Sequence, residues 1–378
     1  MVNPVIEIIN YKKEVIEKLE AILSSSEIAK AKNDHHSLRP PRPCGMTVHT
    51  GIGCSWRCIY CYIEDMGFPW KSRPYPLKGL QLAYALAINP YFVPGSHGTL
   101  VAIGSVTEPF LPHTKERAFE YIEAINKYLG NPIQFSTKAF LDQDDARILK
   151  SIEPSISPLI TIITLKYYRK LEPYAPPPSK RLETIRNLRL AGLNPILFYR
   201  PVIPGINDIE YKDILMKAKE YGAIGVVVGS LRVTPRILSR LSAIGFNIGK
   251  ILERMPYRLQ GKSRQVPVHI GDIKLKILEY AKNIGLAPLS LACMANLLTH
   301  NTSCPRMCKV GVCISKPSTP EQNIITEAGE VLGLKIMDIR VRGDSVEIKV
   351  RGSRKRSLFF QELVKCYYRI CTKVITLK

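Results

Sequence analysis

Six short apolar runs alternate with helix-periodic stretches between residues 46 and 228. The runs are Met46 to Thr50, Thr99 to Ser105, Pro132 to Lys138, Leu159 to Thr164, Leu193 to Arg200 and Ala223 to Val228. Helical spacing of apolar residues occupies 77–88, 114–129, 142–151, 179–191 and 207–220, and Gly192 offers a C-terminal cap to the fourth of these. Several runs carry no polar alternation, as expected of parallel strands covered by helices. Parallel connections through helices are right-handed. The sheet therefore curls, and the α/β chain is expected to form a partial (β/α)6 TIM-like barrel. Chemistry in such barrels sits at the C-terminal ends of the strands.

The loop after the first run holds Cys54, Cys58 and Cys61, with three and then two residues between them and Tyr60 before the last. Three soft thiolates on one short loop hold a cluster and leave one position open, and iron–sulfur clusters take thiolate ligands. The competing reading is half of a zinc site, completed by the cysteines near residue 300.

Outside the alternation the composition changes. Residues 1–43 read as an amphipathic helix over 3–23, with Pro4 in its first turn, and an extended linker through Arg39-Pro40-Pro41-Arg42-Pro43. The barrel is assigned to 44–230. Residues 231–318 form a basic segment with helices near 234–254 and 271–284 and a second cysteine group. Residues 319–378 read as a small α+β unit, in the order helix, strand, strand, helix, strand.

In the second group, Cys293, Cys304, Cys308 and Cys313 are separated by ten, three and four residues. Four thiolates can close a metal site. A second [4Fe–4S] cluster is the favoured expectation, with zinc as the alternative. Cys366 and Cys371 read as structural, and Cys44 is ambiguous. His35-His36 reads as surface, because adjacent residues rarely converge on one metal, and His49 as a strand-end residue.

The net charge is +22, from 54 basic and 32 acidic side chains. Nine lysines and arginines face only Glu253 and Asp272 in 230–274, and twelve face four acids in 335–378. Such excess suits a phosphate backbone, so a nucleic acid is the expected partner. Tyr257, Phe359, Phe360, Tyr367 and Tyr368 lie among these charges as candidates for base stacking or for the core. No run of about 18 apolar residues marks a membrane span, and no secretion signal is evident. The expected compartment is the cytoplasm, with an electron donor as a second partner.

The cysteine loop resembles the radical S-adenosylmethionine (SAM) superfamily. Thr50-Gly51-Ile52-Gly53-Cys54, Gly104 to Pro109, Phe135 to Lys138, Leu171-Glu172-Pro173 and Pro201 to Asp208 resemble the branch that includes spore photoproduct lyase. The resemblance covers roughly residues 44–230. It implies a [4Fe–4S] cluster on Cys54, Cys58 and Cys61 whose fourth iron is chelated by the methionine moiety of SAM. One-electron reduction then releases a 5′-deoxyadenosyl radical, which abstracts hydrogen from the substrate.

Matched position by position, the resemblance implies that Thr107 and Glu108 meet the methionine amino group and Lys138 its carboxylate. Thr161 contacts the cofactor, and Tyr60 flanks the adenine. Arg200, at the end of the fifth run, meets cofactor or substrate. The photoproduct enzyme returns hydrogen from a cysteine near the end of its second strand, where this chain has Ser105. A hydroxyl is a poorer hydrogen-atom donor than a thiol, which argues against repair by that route. The leading expectation is a radical SAM enzyme acting on nucleic acid, in repair or RNA modification. The alternatives are the same chemistry on a peptide, protein or metabolite, with an auxiliary cluster, and a non-catalytic metal-containing binding protein.

Overall fold

The computed structural model describes residues 3–41, 45–257, 265–302, 304, 319–343 and 345–377. Its centre is a parallel sheet of seven strands: β1 (Met46–Val48), β2 (Val101–Ile103), β3 (Ile133–Thr137), β4 (Ser157–Thr161), β5 (Ile196–Val202), β6 (Gly225–Ser230) and β7 (Ala287–Leu289). They pair in chain order, each parallel to the last, with Met46 opposite Val101 and Leu159 opposite Ile196. Every residue of β4 is buried, as a strand covered on both faces requires.

The sequence ends the alternation near residue 230, but the sheet continues to β7, which pairs with β6 through Ala287 and Gly225. β7 is three residues long and contains Pro288, so it lacks both the length and the β-branched composition that mark a strand.

The outer helices are α3 (Gly79–Ile88), α4 (Lys115–Ala124, continued by a π turn to Leu129), α5 (Gln143–Ile152), α6 (Pro178–Leu190) and α7 (Tyr211–Glu220). They are preceded by α1 (Pro4–Ile22) and α2 (Ser25–Lys32) and followed by α8 (Pro235–Ala243), α9 (Gly271–Asn283) and α10 (Ala292–Thr299). α10 packs at the N-terminal end of the barrel interior. Asn296 Nδ2 donates to the carbonyls of Val101 (3.4 Å) and Pro132 (3.1 Å), and the Ile133 N–H donates to His300 Nε2 (3.3 Å). Ala295 joins Leu159, Ile196, Val227 and Leu289 in the core enclosed there.

The last unit pairs β8 (Lys335–Arg342), β9 (Ser345–Arg351) and β10 (Cys371–Leu377) in that order, with α11 (Gln322–Val331) and α12 (Arg354–Tyr368) against one face. Phe359, Phe360 and Tyr368 are buried in its core, which removes them from base stacking, while Tyr257 is 45% exposed. The other face pairs its charges: Asp338 with Arg340 (2.8 Å) and Lys349 (3.9 Å), and Glu347 with Lys373 (3.4 Å).

α1 joins the two units. Val5 and Ile9 enter the core of the last unit, and Val15 and Leu19 enter that of the barrel. Asn3 caps the helix, accepting from the Val5 N–H, and its Nδ2 donates to the Ile324 carbonyl on α11 (3.0 Å). Between the halves, buried Lys12 donates to the carbonyls of Asn89 (2.8 Å) and Phe92 (2.5 Å). Burial pulls its pKa down to about 7.

One sequence expectation is corrected here. His36 is wholly buried and His49 is 9% exposed, so the His35-His36 pair is not a plain surface feature. The short helical turn His35–Ser37 folds back against the end of β1, stacking the His35 ring on His49 and setting the His36 ring beside it at a tilt of 59°.

Candidate active site

The cysteine loop leaves β1 at the C-terminal end of the barrel. Gly51 and Ile52 pair antiparallel with Pro74 and Arg73 and close the loop at its neck. Gly53 adopts φ +80°, and a Cβ there would lie 2.3 Å from the Pro69 carbonyl oxygen, so only glycine fits. The Cys54 N–H donates to that same carbonyl (3.2 Å), and the Ile59 N–H to the Leu171 carbonyl (2.9 Å). Beyond Cys61, Glu64 and Asp65 are held by α8: Arg236 reaches both (2.9 and 3.3 Å), Arg240 pairs with Glu64, and Thr234 donates to Asp65 (2.7 Å). Part of the positive charge in 230–274 is thus spent inside the protein.

Cys58 is buried, and Cys54 and Cys61 are half-buried. Burial pushes their thiols up, to about 11 for Cys54, 12 for Cys58 and 11 for Cys61. Each of the three feels the charge of another of them. Three crowded thiols that resist ionisation in a dry loop need a cationic partner to become thiolates, and a metal centre supplies one. The donor set fits a cluster.

Later strands bring polar groups to the same end. Glu108, past β2, is buried. Its Oε1 accepts from Thr137 and from the Phe110 N–H (3.3 Å), and its Oε2 from the Lys138 N–H (3.1 Å). Burial raises its pKa to about 7 against those bonds. Thr107 beside it is 6% exposed, and its Oγ1 has no partner among the described residues.

Lys138 follows β3 directly, with Nζ 4.0 Å from Glu172 Oε1 and 5.7 Å from the centre of the Tyr60 ring. Burial alone would lower its pKa, but the negative charges of Cys58 and Glu172 outweigh burial and raise it. Tyr60 donates its hydroxyl to Glu172. Glu172 is paired at 2.5 Å with Arg181, both side chains being fully buried, and Arg181 Nη1 also donates to the Thr161 carbonyl (3.1 Å).

Tyr60, Lys138 and Thr161 therefore meet around one buried ion pair. Sequence reasoning missed both of its members as site residues. The signal for Arg181 was present: it occupies the apolar stripe of α6 with Thr184, Ile185 and Leu188, where a charge needs a partner. Arg200 stands apart and exposed on β5, its stem against Gly229 and its guanidinium 6.0 Å from the Phe198 ring centre. An open cleft of 410 Å³ lies beside the loop, lined by Trp56, Phe110, Phe140 and Tyr174 among others.

Asn207, in the Pro201-to-Asp208 motif, has a structural role. Its Nδ2 donates to the carbonyls of Ile163 (2.9 Å) and Pro201 (3.0 Å), and its Oδ1 accepts from the Ile203 N–H (2.6 Å), binding the ends of β4 and β5 together.

The second cysteine group begins at the opposite end of the barrel. Cys293 lies on α10 at the base. Cys304 is buried near Arg369, whose Nη2 lies 2.9 Å from Nδ1 of His97 in the segment leading into β2. Five-residue strands put about 15 Å between the two ends. Cys308 and Cys313 lie outside the described residues.

A curled parallel sheet with three thiols past its first strand, and acid and base converging from the next three, has the donor set and the strand-end position of a barrel enzyme's active site. Residues 48–218 match the family model of the Radical SAM superfamily, and this part of the chain is a radical SAM domain. A [4Fe–4S] cluster and SAM are the cofactors the family implies.

Among curated proteins the chain is similar to ORF301, an uncharacterised protein of Acidianus two-tailed virus. The two are 24% identical over 245 residues, which is 55% of this chain and 79% of that protein. It is also 27% identical over 165 residues to MJ0683, an uncharacterised protein of Methanocaldococcus jannaschii, spanning 42% of this chain and 61% of the relative. Among solved structures it resembles a mutant of spore photoproduct lyase (TM-score 0.52, 15% identity) and the same enzyme complexed with dinucleoside spore photoproduct (TM-score 0.50, 14% identity). Both matches cover 72% of this chain and 90% of the other, and at this identity they speak to the fold. No helix among the described residues is long and apolar enough to cross a membrane.

Proposed function

We propose that this enzyme cleaves SAM reductively and directs the resulting radical at a nucleic acid. The observation that carries the first half is the approach of Glu108 and Lys138 to the cysteine loop, one offering a buried acceptor and the other a buried cation. A [4Fe–4S] cluster on Cys54, Cys58 and Cys61 and SAM together supply the 5′-deoxyadenosyl radical when bound.

The chain's own residues bind and orient. Glu108, fixed by Thr137 and the Lys138 N–H, accepts from the methionine ammonium, a charge-assisted bond in a dry site. The unpartnered Thr107 hydroxyl is beside it. Lys138 turns its ammonium from Glu172 to the methionine carboxylate. Tyr60, held through its hydroxyl, presents its ring to the adenine, and Thr161 lines the same wall. Arg200, exposed on β5, faces substrate rather than cofactor. Trp56 and the buried loop exclude water, which protects a reactive intermediate.

Because Glu108 holds its proton up to about pH 7 in the free protein, SAM affinity is expected to rise with pH through that value, as the carboxyl ionises. Glu108→Gln should remove the rise and weaken binding by about tenfold or more, the loss of roughly 1.4 kcal/mol. Equilibrium dialysis of SAM against pH measures both, and a wild-type profile that falls or stays flat refutes the assignment.

The nucleic-acid half is supported by the net charge of +22 and by the likeness to an enzyme solved with a dinucleoside lesion. Binding of single-stranded RNA and DNA is expected to weaken steeply as salt rises, with a log–log slope set by the number of phosphate contacts. Absent or salt-insensitive binding would remove nucleic acid as the substrate class and favour a peptide or metabolite.

We infer further that Cys293, Cys304, Cys308 and Cys313 hold a second [4Fe–4S] cluster, or zinc. Cys293, at the base of the barrel, supports a role for such a centre in stiffening the base or passing electrons; the alternative role is to bind substrate.

A further inference from the structure

We propose that His35, His36 and His49 form a three-imidazole site for a divalent transition-metal cation, zinc by the chemistry of its ligands, at the open end of the barrel. One ligand nitrogen from each ring lies within 4.8 Å of the others. Ring centroids are 4.1 Å apart for His35 and His36, 5.5 Å for His35 and His49, and 5.4 Å for His36 and His49. A tetrahedral ion with bonds of about 2.0–2.1 Å holds its ligands roughly 3.4 Å apart. Closing the rings by about 1 Å, within the reach of small χ rotations, completes the geometry.

The second observation is an orphaned atom. His36 is fully buried, and its Nε2 has no hydrogen-bond partner among the described residues. Buried polar atoms are almost always satisfied, and a bound ion answers such an exception. The outer atoms are already arranged as metal-bound histidines need them. His36 Nδ1 contacts Asp34 Oδ1 at 2.6 Å. His35 Nδ1 lies 2.9 Å from the Tyr75 hydroxyl, which donates to Asp34 Oδ2 at 2.7 Å. Carboxylate and phenol partners of this kind fix the tautomer and leave Nε2 for the ion.

The competitor is Arg39. Its Nη1 lies 3.0 Å from His49 Nε2, and because a guanidinium only donates, it engages the lone pair that the cation would take. His49 Nδ1 is 3.4 Å from the Ser105 hydroxyl, so the ion would sit beside the end of β2. Three protein ligands leave a fourth position open for water or a substrate oxygen, the pattern of catalytic rather than structural zinc.

Cobalt(II) is the probe, added to full-length protein with its iron–sulfur centres assembled anaerobically and excess metal removed by desalting. One equivalent is expected to bind with visible d–d bands and without sulfur-to-cobalt charge-transfer intensity, which separates it from any cysteine site. His36→Gln should abolish that equivalent. His35→Gln, at a ring 45% exposed and so the milder change to the fold, should weaken it at least tenfold. Arg39→Gln should tighten it by freeing His49. Wild-type protein that takes up no nitrogen-ligated cobalt, or histidine variants that bind it unchanged, would reduce the cluster to packed aromatic rings and overturn the proposal.

Discussion

Replacing Cys58 with alanine is expected to bring 5′-deoxyadenosine formation down to the background of the assay. Of the three thiols Cys58 is the most deeply placed, with its pKa pushed highest, to about 12. It also lies nearest in charge to Lys138, whose pKa it raises. Its removal takes away one of the three thiols assigned to the cluster. Iron should fall by about four per chain, the content of one [4Fe–4S] centre. Iron left in the variant would then belong to the second cysteine group, and a zinc signal there instead would settle the alternative. Anaerobic reconstitution, iron and zinc analysis and chromatography of the nucleoside product make the test. A variant that keeps both its iron and its turnover would overturn the assignment of this loop.

The second large effect is expected at a residue that touches no cofactor in our reading. Arg181→Met should destabilise the protein by about 3–5 kcal/mol, the usual cost of leaving one partner of a buried ion pair alone. Glu172, at zero exposure, would lose its nearest cation and keep only the Tyr60 hydroxyl and Lys138 at 4.0 Å, and the carbonyls of Thr161 and Pro176 would lose their donor. The double variant Arg181→Met with Glu172→Gln should recover part of that loss, because the unpaired charge is gone. Urea unfolding of all three proteins measures it. A single-variant loss below about 1 kcal/mol would mean that water reaches the pair and that the site is wetter than the geometry implies.

The strands and helices of the barrel were legible because each run satisfies one period at a time: β4 is buried throughout around an apolar Leu159-Ile160 centre, and α5 is strongly two-sided. The cysteines, Glu108 and Lys138 were legible because strand ends and loop spacing are local. What escaped depends on contacts distant in sequence. Glu172 and Arg181 are nine residues apart, yet their meaning comes from Tyr60 and Lys138 on other elements. β7 is too short to announce itself and exists because β6 offers an unpaired edge and α10 packs behind it. The histidines read as surface because adjacency in sequence was weighed without the turn that carries His36 inward. The basic tail read as a phosphate face, but Arg340, Lys349 and Lys373 on its sheet are answered by Asp338 and Glu347, along one strand or across to the next.

The helix that opens the chain gives synthesis an order. The partners of Val15 and Leu19 are made early, whereas those of Val5 and Ile9 arrive with residues 325–370. The bond from Asn3 to Ile324 spans 321 positions. On the ribosome the barrel can gather around the second half of α1 while its first half waits with an uncovered apolar stripe. Long-range closure of this kind is slow, and exposed stripes invite wrong partners. Lys12, at the boundary of the two halves, keeps that waiting segment soluble while its ammonium is still in water. It gives up its hydration only when the carbonyls of Asn89 and Phe92 accept its hydrogen bonds from below and Phe359 covers it from above. The last unit of the chain thus acts as the clasp that finishes the first.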